Sequence, residues 1–534
     1  MRKLSLAAYV QFGTGVQTVN TLKKFIDIIS SLGYNTLYLG IGENFKVKNQ
    51  PYLSYMRGRF DSDELKEIIA YAKENGLTTV PAIQTLGHYH TIPCYSHYKP
   101  IIDHHDVLLI DEEETYAFLE DIISTCAEIF GEGSLMIGGD EATLLGAGKY
   151  YDKHGAYNRT EIFIRHFQRV AQIAAKYKMS CEMWSDMFFK LNGMDNYESG
   201  QFKTPQELMN TFPQDITIVH WSYNVDDVEN HVRVLKEHKL ISDRVKVAGA
   251  FWKFQGFAPN NTYSIQANKN LVEACRQENI SEVIFAMWED NGGESSIFSV
   301  LPSLFEVAIE NGNIDREKAH ALFVEYTGIN EEEFRLLDYL NYPYFQEIQT
   351  PANCSFYYLY ADPLLSIFHS MVTEHVGEAF GAYAKKIEKF REGKYGYLFE
   401  VNYRLALVLE KKAKLGVDIK RYYHQKDMIA LRNIAEQVIP ETVKRLDAFF
   451  DAVDARWNRE NMPGGFEVHC ARIGALRFRL EYVSKYLLDY CDGKIKEIRD
   501  LNDETLPFTY VANAKEDTYA LMCWNNIITA GINW

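Results

Sequence analysis

From residue 4 onward the chain alternates short apolar runs with amphipathic stretches, and this alternation limits its fold more than any other feature. LSLAAYV (about 4–10) is followed by TVNTLKKFIDIISSLG, and NTLYLGI (about 35–41) by DELKEIIAYAKENG, which reads as strand, helix, strand, helix. The runs continue through TTVPAIQ (78–84), SLMIGG (134–139), MSCEMWS (179–185), ITIVHWS (216–222), VKVAGAF (245–251) and EVIFAMW (282–288), so the spacing predicts eight strands. Eight βα units within about 310 residues fit a (β/α)8 TIM barrel. A doubly wound sheet would show about six strands and a glycine-rich phosphate turn, and no G-x-G-x-x-G follows the first run.

Beyond about residue 315 the strand signal fades and helical patterns dominate, as in GALRFRLEYVSKYLLDY (474–490). The expected organisation is an α/β barrel over 1–315 and a mainly α-helical C-terminal domain over 316–534, with NYPYFQEIQTPANC (341–354) read as a loop. Buttressing the barrel, forming a homodimer and overhanging the site are all open roles for the helical part. The net charge of -17, with no basic cluster to reverse it locally, argues against nucleic acid and anionic membrane surfaces as partners. The eight cysteines lack CxxC spacing and read as reduced, mostly buried thiols. The basic N-terminal start lacks a clear cleavage site and no apolar stretch reaches the roughly 18 residues of a membrane span, so a cytoplasmic location is expected.

In a barrel of this kind the reacting groups sit just after the strands. Those positions hold Glu43 after the second run, His88 after the third, Asp140 and Glu141 after the fourth, and Trp184 and Asp186 at the fifth. Trp221 and Tyr223 follow at the sixth, Trp252 at the seventh, and Trp288, Glu289 and Asp290 at the eighth. Four of seven tryptophans at consecutive strand ends imply an aromatic-walled pocket, because barrel interiors favour branched aliphatics. Tryptophan faces with carboxylates between them suit sugar rings. Gly138 and Gly139 let the backbone turn so that both acids reach the mouth, where crowding and burial raise one carboxyl toward a general acid's range. His88, His90, His104 and His105 lie close in sequence without metal-ligand spacing, so neither a metal nor a cofactor is expected.

Met136-Ile137-Gly138-Gly139-Asp140-Glu141-Ala142 resembles the IGGDE motif of glycoside hydrolase family 20, the β-N-acetylhexosaminidases. Ala82 to His88 resembles that family's strand-three segment ending in Pro-Gly-His, and Met287 to Asp290 its strand-eight Trp-x-acid element. The resemblance covers about residues 1–310 and implies an exo-acting hydrolase of terminal β-linked GlcNAc or GalNAc, using substrate-assisted retention. It implies that Asp140 polarises the 2-acetamido group, that Glu141 is the acid and base, and that His88 tunes it. Trp184, Trp221 and Trp288 would line the pocket, with Asp290 or Glu289 on distal hydroxyls.

The chain departs from that pattern at several points. Val10-Gln11-Phe12 stands where the family commonly has a strand-one Arg, and Arg57 and Arg59 are candidates for that function, with Glu43 in an acidic role. Tyr223 is the candidate for the tyrosine on the acetamido carbonyl, while Trp252 occupies the strand-seven end where the resemblance would place it. Leu86 replaces the leading Pro. The chain reads as a short form beginning directly at strand one. The expected partner is a small oligosaccharide or glycoconjugate. The alternative reading is a catalytically silent carbohydrate-binding barrel.

Overall fold

The eight runs form eight parallel strands that close on themselves. They are β1 (Ser5–Gln11), β2 (Thr36–Gly40), β3 (Thr78–Ala82), β4 (Gly133–Met136), β5 (Met179–Trp184), β6 (Thr217–Trp221), β7 (Val245–Ala250) and β8 (Glu282–Met287). Each strand pairs with its sequence neighbours, and β1 closes the barrel on β8 with Ser5 opposite Glu282. The computed structural model describes residues 3–194, 197, 212–254, 256–290, 292–342 and 354–508. Most of the segment expected as a loop near residue 341, together with Cys523, lies outside the described residues.

Local sequence explains the connecting helices. Val19–Ser31 starts at Thr18, whose hydroxyl accepts from the Thr21 N–H, and it buries Leu22, Phe25, Ile26 and Ile29. Ser62–Glu74 opens with a capping box in which Asp61 and Glu64 satisfy each other's backbone N–H groups.

An eight-stranded barrel has no free interior, so inward side chains must fill it. Its core combines small residues (Ala7, Ala82, Ala248, Ala286) with Tyr9, Tyr38, Met136 and Trp184, and the half-buried Trp221 and Trp288 pack against that core. Toward the N-terminal ends of the strands the filling is ionic. Lys246 Nζ lies 2.8 Å from Glu182 and 2.7 Å from Glu282, and the Tyr38 hydroxyl stands 2.8 Å and 3.0 Å from the same two carboxylates. Burial disfavours the Lys246 ammonium, yet the two glutamates more than offset this and its pKa is raised.

One seam is thin. β3 and β4 share a single registered pair, Ala82 with Met136. The Ile83 N–H donates to the Met136 carbonyl at 2.9 Å and the Thr85 hydroxyl to the Ile137 carbonyl at 2.7 Å, so side-chain and loop bonds continue the pairing.

The contact pattern divides the chain into two units. One comprises Met1–Phe251, Ser264–Glu289 and Ser303–Ala319; the other comprises Trp252–Tyr263, Asp290–Pro302 and His320–Trp534. Two segments that follow β7 and β8 thus count with the helical unit, because their side chains pack there. Phe257 lies 5.0 Å from Phe449, ring to ring, and the buried Asp338 accepts from Asn261 and Thr262 at 3.0 Å and 2.9 Å. Long helices at Gly396–Lys412, Ile439–Glu460 and Phe466–Cys491 dominate this unit. Among the described residues no cysteine is paired; Cys126, Cys181, Cys275 and Cys354 are buried, whereas Cys94 and Cys470 are exposed. No described helix is long and apolar enough to cross a membrane.

Replacing Lys246 by Met leaves Glu182 and Glu282 facing each other without a cation. The expected loss is about 3 to 5 kcal/mol of barrel stability, read by urea unfolding. A loss below about 1 kcal/mol would show that water already neutralises the cluster.

Candidate active site

The loop after β4 turns at two glycines with left-handed backbone, Gly138 (φ 72°) and Gly139 (φ 96°). A Cβ on Gly138 would stand 2.0 Å from Gln84 Oε1 and one on Gly139 2.8 Å from the Phe167 ring, so both positions exclude a side chain. The turn delivers Asp140 and Glu141 to the β3–β4 seam. Asp140 is mostly buried, with His88 Nε2 3.1 Å from Oδ2 and Gln84 Nε2 donating to Oδ1 at 3.5 Å. Glu141 is open, its side chain 53% exposed, and its carboxylate stands 4.0 Å from His88 and 3.9 Å from Lys190.

Both His88 (φ 63°) and Glu141 (φ 52°) hold left-handed backbone without being glycine. Such conformations cost on the order of 1 to 3 kcal/mol and persist where neighbours over-determine them. The neighbours are present here. Asp106 accepts the His88 N–H at 3.3 Å and Asp186 accepts the Glu141 N–H at 3.1 Å. Asp186 is fully buried, and Lys190 Nζ lies 3.0 Å from it. Burial, then the charge of Asp140, raise the Asp186 carboxyl.

Electrostatics divide the roles. Burial alone would lower His88, but the Asp140 charge and hydrogen bond, helped by Glu141 and Asp106, raise it to about 9. Burial would raise Asp140, but the His88 imidazolium holds its carboxyl below the usual range. Asp140 is therefore an anion and His88 a cation at neutral pH.

The aromatic wall stands in the same unit. Trp288 packs against Trp184 at 5.7 Å and Tyr9 at 5.0 Å, while Tyr223 stacks on Trp221 at 5.1 Å and meets Trp288 edge-on at 6.3 Å. Lys190 Nζ lies 5.4 Å from the Trp221 ring centre. Trp184 is buried beneath the others.

Other candidates named from sequence occupy different surroundings. The buried Glu43 accepts from the N–H groups of His90, Thr91 and Ile92 at 3.1 to 3.3 Å. Glu289 accepts from the Gly15 N–H and the Gln17 amide at 3.1 Å each, bracing β8 against the loop after β1. Arg57 Nη2 donates to the Gly13 carbonyl at 3.2 Å, so its guanidinium reaches the end of β1 from the loop after β2; Arg59 is half-buried farther along that loop. Trp252 belongs to the helical unit, where it stacks on Phe254 at 4.6 Å, and the exposed Asp290 also belongs there. Sequence reasoning did not single out Tyr9, Gln84, Asp106 or Lys190. Tyr9 had a legible signal as an inward position of β1, and Lys190 as the i+4 partner of Asp186; Asp106 had none.

Two family descriptions match this chain. "Glycosyl hydrolase family 20, catalytic domain" matches residues 15–248 and "Glycoside Hydrolase 20C C-terminal domain" matches residues 332–520. The catalytic-domain match spans most of the closed eight-stranded barrel and its paired acids, and it is this match that makes the chain a barrel glycoside hydrolase by class. The chain belongs to glycoside hydrolase family 20. It is 25% identical over 231 residues to hexosaminidase D of Homo sapiens, a span covering 41% of this chain and 45% of that protein. It is 24% identical over 151 residues to the beta-hexosaminidase of Porphyromonas gingivalis, covering 23% of this chain and 19% of that one. The chain thus spans less than half the length of these two curated relatives. A beta-N-acetylhexosaminidase structure from Bacteroides fragilis matches with a TM-score of 0.45 and 17% identity, over 60% of this chain and 70% of that one.

The raised value of His88 carries a sign. A group whose folded value, about 9, exceeds its ordinary 6.5 contributes stability in full below about pH 6.5 and loses it as pH rises through 9. Wild type should therefore exceed His88→Gln in unfolding free energy most at about pH 6, with the gap closing by about pH 10. A gap that stays constant across that range contradicts the His88 and Asp140 charge pair.

Proposed function

We propose that this chain removes terminal β-linked N-acetylhexosamine from oligosaccharides or glycoconjugates by substrate-assisted retention through an oxazolinium intermediate. The observation that carries the reading is the pairing of a buried carboxylate kept ionised, Asp140 on His88, with an adjacent open one, Glu141. A fixed anion suits the acetamido N–H. It accepts that hydrogen bond, raises electron density on the acetamido carbonyl oxygen, and stabilises positive charge as that oxygen attacks the anomeric carbon. Glu141 gives its proton to the leaving oxygen as the glycosidic bond breaks. It then takes a proton from the water that opens the intermediate.

A conventional retaining enzyme needs a second carboxylate as nucleophile about 5 Å from the acid. Asp186, Glu43 and Glu289, the other buried carboxylates at these strand ends, are engaged by backbone N–H groups, which supports a nucleophile supplied by the substrate. In this reading Trp221, Trp288 and Tyr223 wall the sugar, the buried Trp184 supports them from below instead of lining the pocket, and Arg57 takes the position at the end of β1 where sugar hydroxyls are gripped.

Nitrophenol release from the β-N-acetylglucosaminide and β-N-acetylgalactosaminide, beside the plain β-glucoside, tests the mechanism. Turnover of the acetamido sugars alone is expected; turnover of the plain glucoside would require a protein nucleophile. Glu141→Gln should cut kcat by about 100- to 10,000-fold with binding largely kept. An unchanged kcat would remove Glu141 from the acid role. Asp140→Asn should also lower kcat, because a neutral amide stabilises the developing positive charge less than an anion does.

A further inference from the structure

The barrel unit carries a second group of aromatic side chains that the chemistry above does not use. Tyr52, Tyr55 and Met56 in the loop after β2 are 42%, 48% and 79% exposed, a concentration of apolar surface within five residues. Tyr95 and the exposed His97, from the loop after β3, join them. Ring centres of Tyr52 and Tyr95 are 5.1 Å apart, Tyr52 and Tyr55 6.2 Å, Tyr55 and Tyr95 6.5 Å, and Tyr52 and His97 6.1 Å. Isolated surface aromatics need no explanation, but clustered ones mark binding surfaces.

The platform is rigidly built. Ser54 and Met56 hold positive φ of 61° and 56°, and the buried Ser54 hydroxyl donates to the Phe45 carbonyl at 3.1 Å. Beneath the rings, Gln50 donates to Asp121 at 2.8 Å and accepts from the Tyr98 hydroxyl at 3.1 Å. Rings fixed in advance lose little freedom when a ligand settles on them.

The platform also stands at the same end of the barrel as the candidate site. Arg57, next to Met56 in sequence, reaches the end of β1, and Glu43 in the same loop holds the N–H groups of residues 90–92, three residues short of Tyr95. The His90 ring stands 5.9 Å from that of His88, which touches Asp140. The loops that carry the tyrosines follow β2 and β3, and the carboxylate pair follows β4, so platform and pair stand at the same end of the parallel barrel.

We propose that Tyr52, Tyr55 and Tyr95 form a distal sugar subsite that stacks pyranose rings on the leaving-group side of the scissile bond. The proposal rests on the hydrolase reading for the direction of the chain. Its ligand class follows from chemistry: tyrosine offers a face for C–H groups and a hydroxyl for polar edges, which suits a neutral saccharide. The subsite makes the enzyme prefer long substrates without taking part in bond cleavage.

The test compares kcat/KM for the β-1,4-linked N-acetylglucosamine disaccharide with that for the pentasaccharide of the same linkage, in wild type, Tyr52→Ala, Tyr95→Ala and Tyr52→Phe. Each alanine variant should lose about 5- to 10-fold on the pentasaccharide and less than about 2-fold on the short substrate, and Tyr52→Phe should retain most of the preference. Equal losses on both substrates, or a wild type without preference for the longer one, overturn the proposal. Calorimetric titration of the pentasaccharide into Glu141→Gln, with and without Tyr52→Ala, reads the platform in the absence of turnover. No activity on any acetamido sugar, with a Tyr52-dependent loss of pentasaccharide binding, would sink the hydrolase reading and keep a saccharide surface. Pentasaccharide binding that ignores Tyr52 would overturn the subsite itself.

Discussion

A closed eight-stranded barrel must be filled from within, and most of what distinguishes this chain follows from how it meets that requirement. Small residues such as Ala7, Ala248 and Ala286 leave room for Tyr9, Tyr38 and Trp184. Charge occupies one end of the filling and indole the other. At the lower end, two glutamates are acceptable because Lys246 and Tyr38 lie within hydrogen-bonding distance of both. At the upper end, Trp184 forms a floor on which Trp288 and Tyr9 rest, so the mouth is walled by rings whose backs are already packed.

The carboxylates at the mouth differ in what surrounds them. Asp140 faces a cation, Asp186 faces a backbone amide and a lysine, and Glu43 faces three successive amides. Only Glu141 projects an open carboxylate from the centre of this group, and its backbone is fixed by Asp186. Exposure and position are thus set together. His88 binds to one acid and stands near the other, so any change in its charge reaches both.

Much of the fold could be read from the sequence because period-two and period-3.6 patterns alternate cleanly: all eight runs became strands, within two residues of the expected bounds except that the fourth stops at Met136, three residues before the run's end at Gly139. The paired acids were legible from the two glycines before them and from their place after the fourth run. Less legible was what each remaining acid would accept. Nothing in the letters of Glu43, Asp186 or Glu289 tells a ligand for sugar hydroxyls from an acceptor for loop amides, since that depends on residues 47, 45 and 274 positions away. The packing of Trp252 against Phe254 and Tyr263 is local in sequence, but it depends on a turn whose path the letters do not specify. A strand-end position places a residue along its own strand but does not specify its neighbours.

The left-handed backbone at His88 and Glu141 bears on how such a site can vary. At these positions a substitution is filtered twice, first by whether the new residue tolerates positive φ and only then by what its side chain does. Val, Ile and Thr meet the first barrier most severely, whereas Asn and Asp pass it more readily. Single-step routes to a different chemistry in this mouth therefore run mainly through short polar residues, and the backbone restricts the choice before catalysis does.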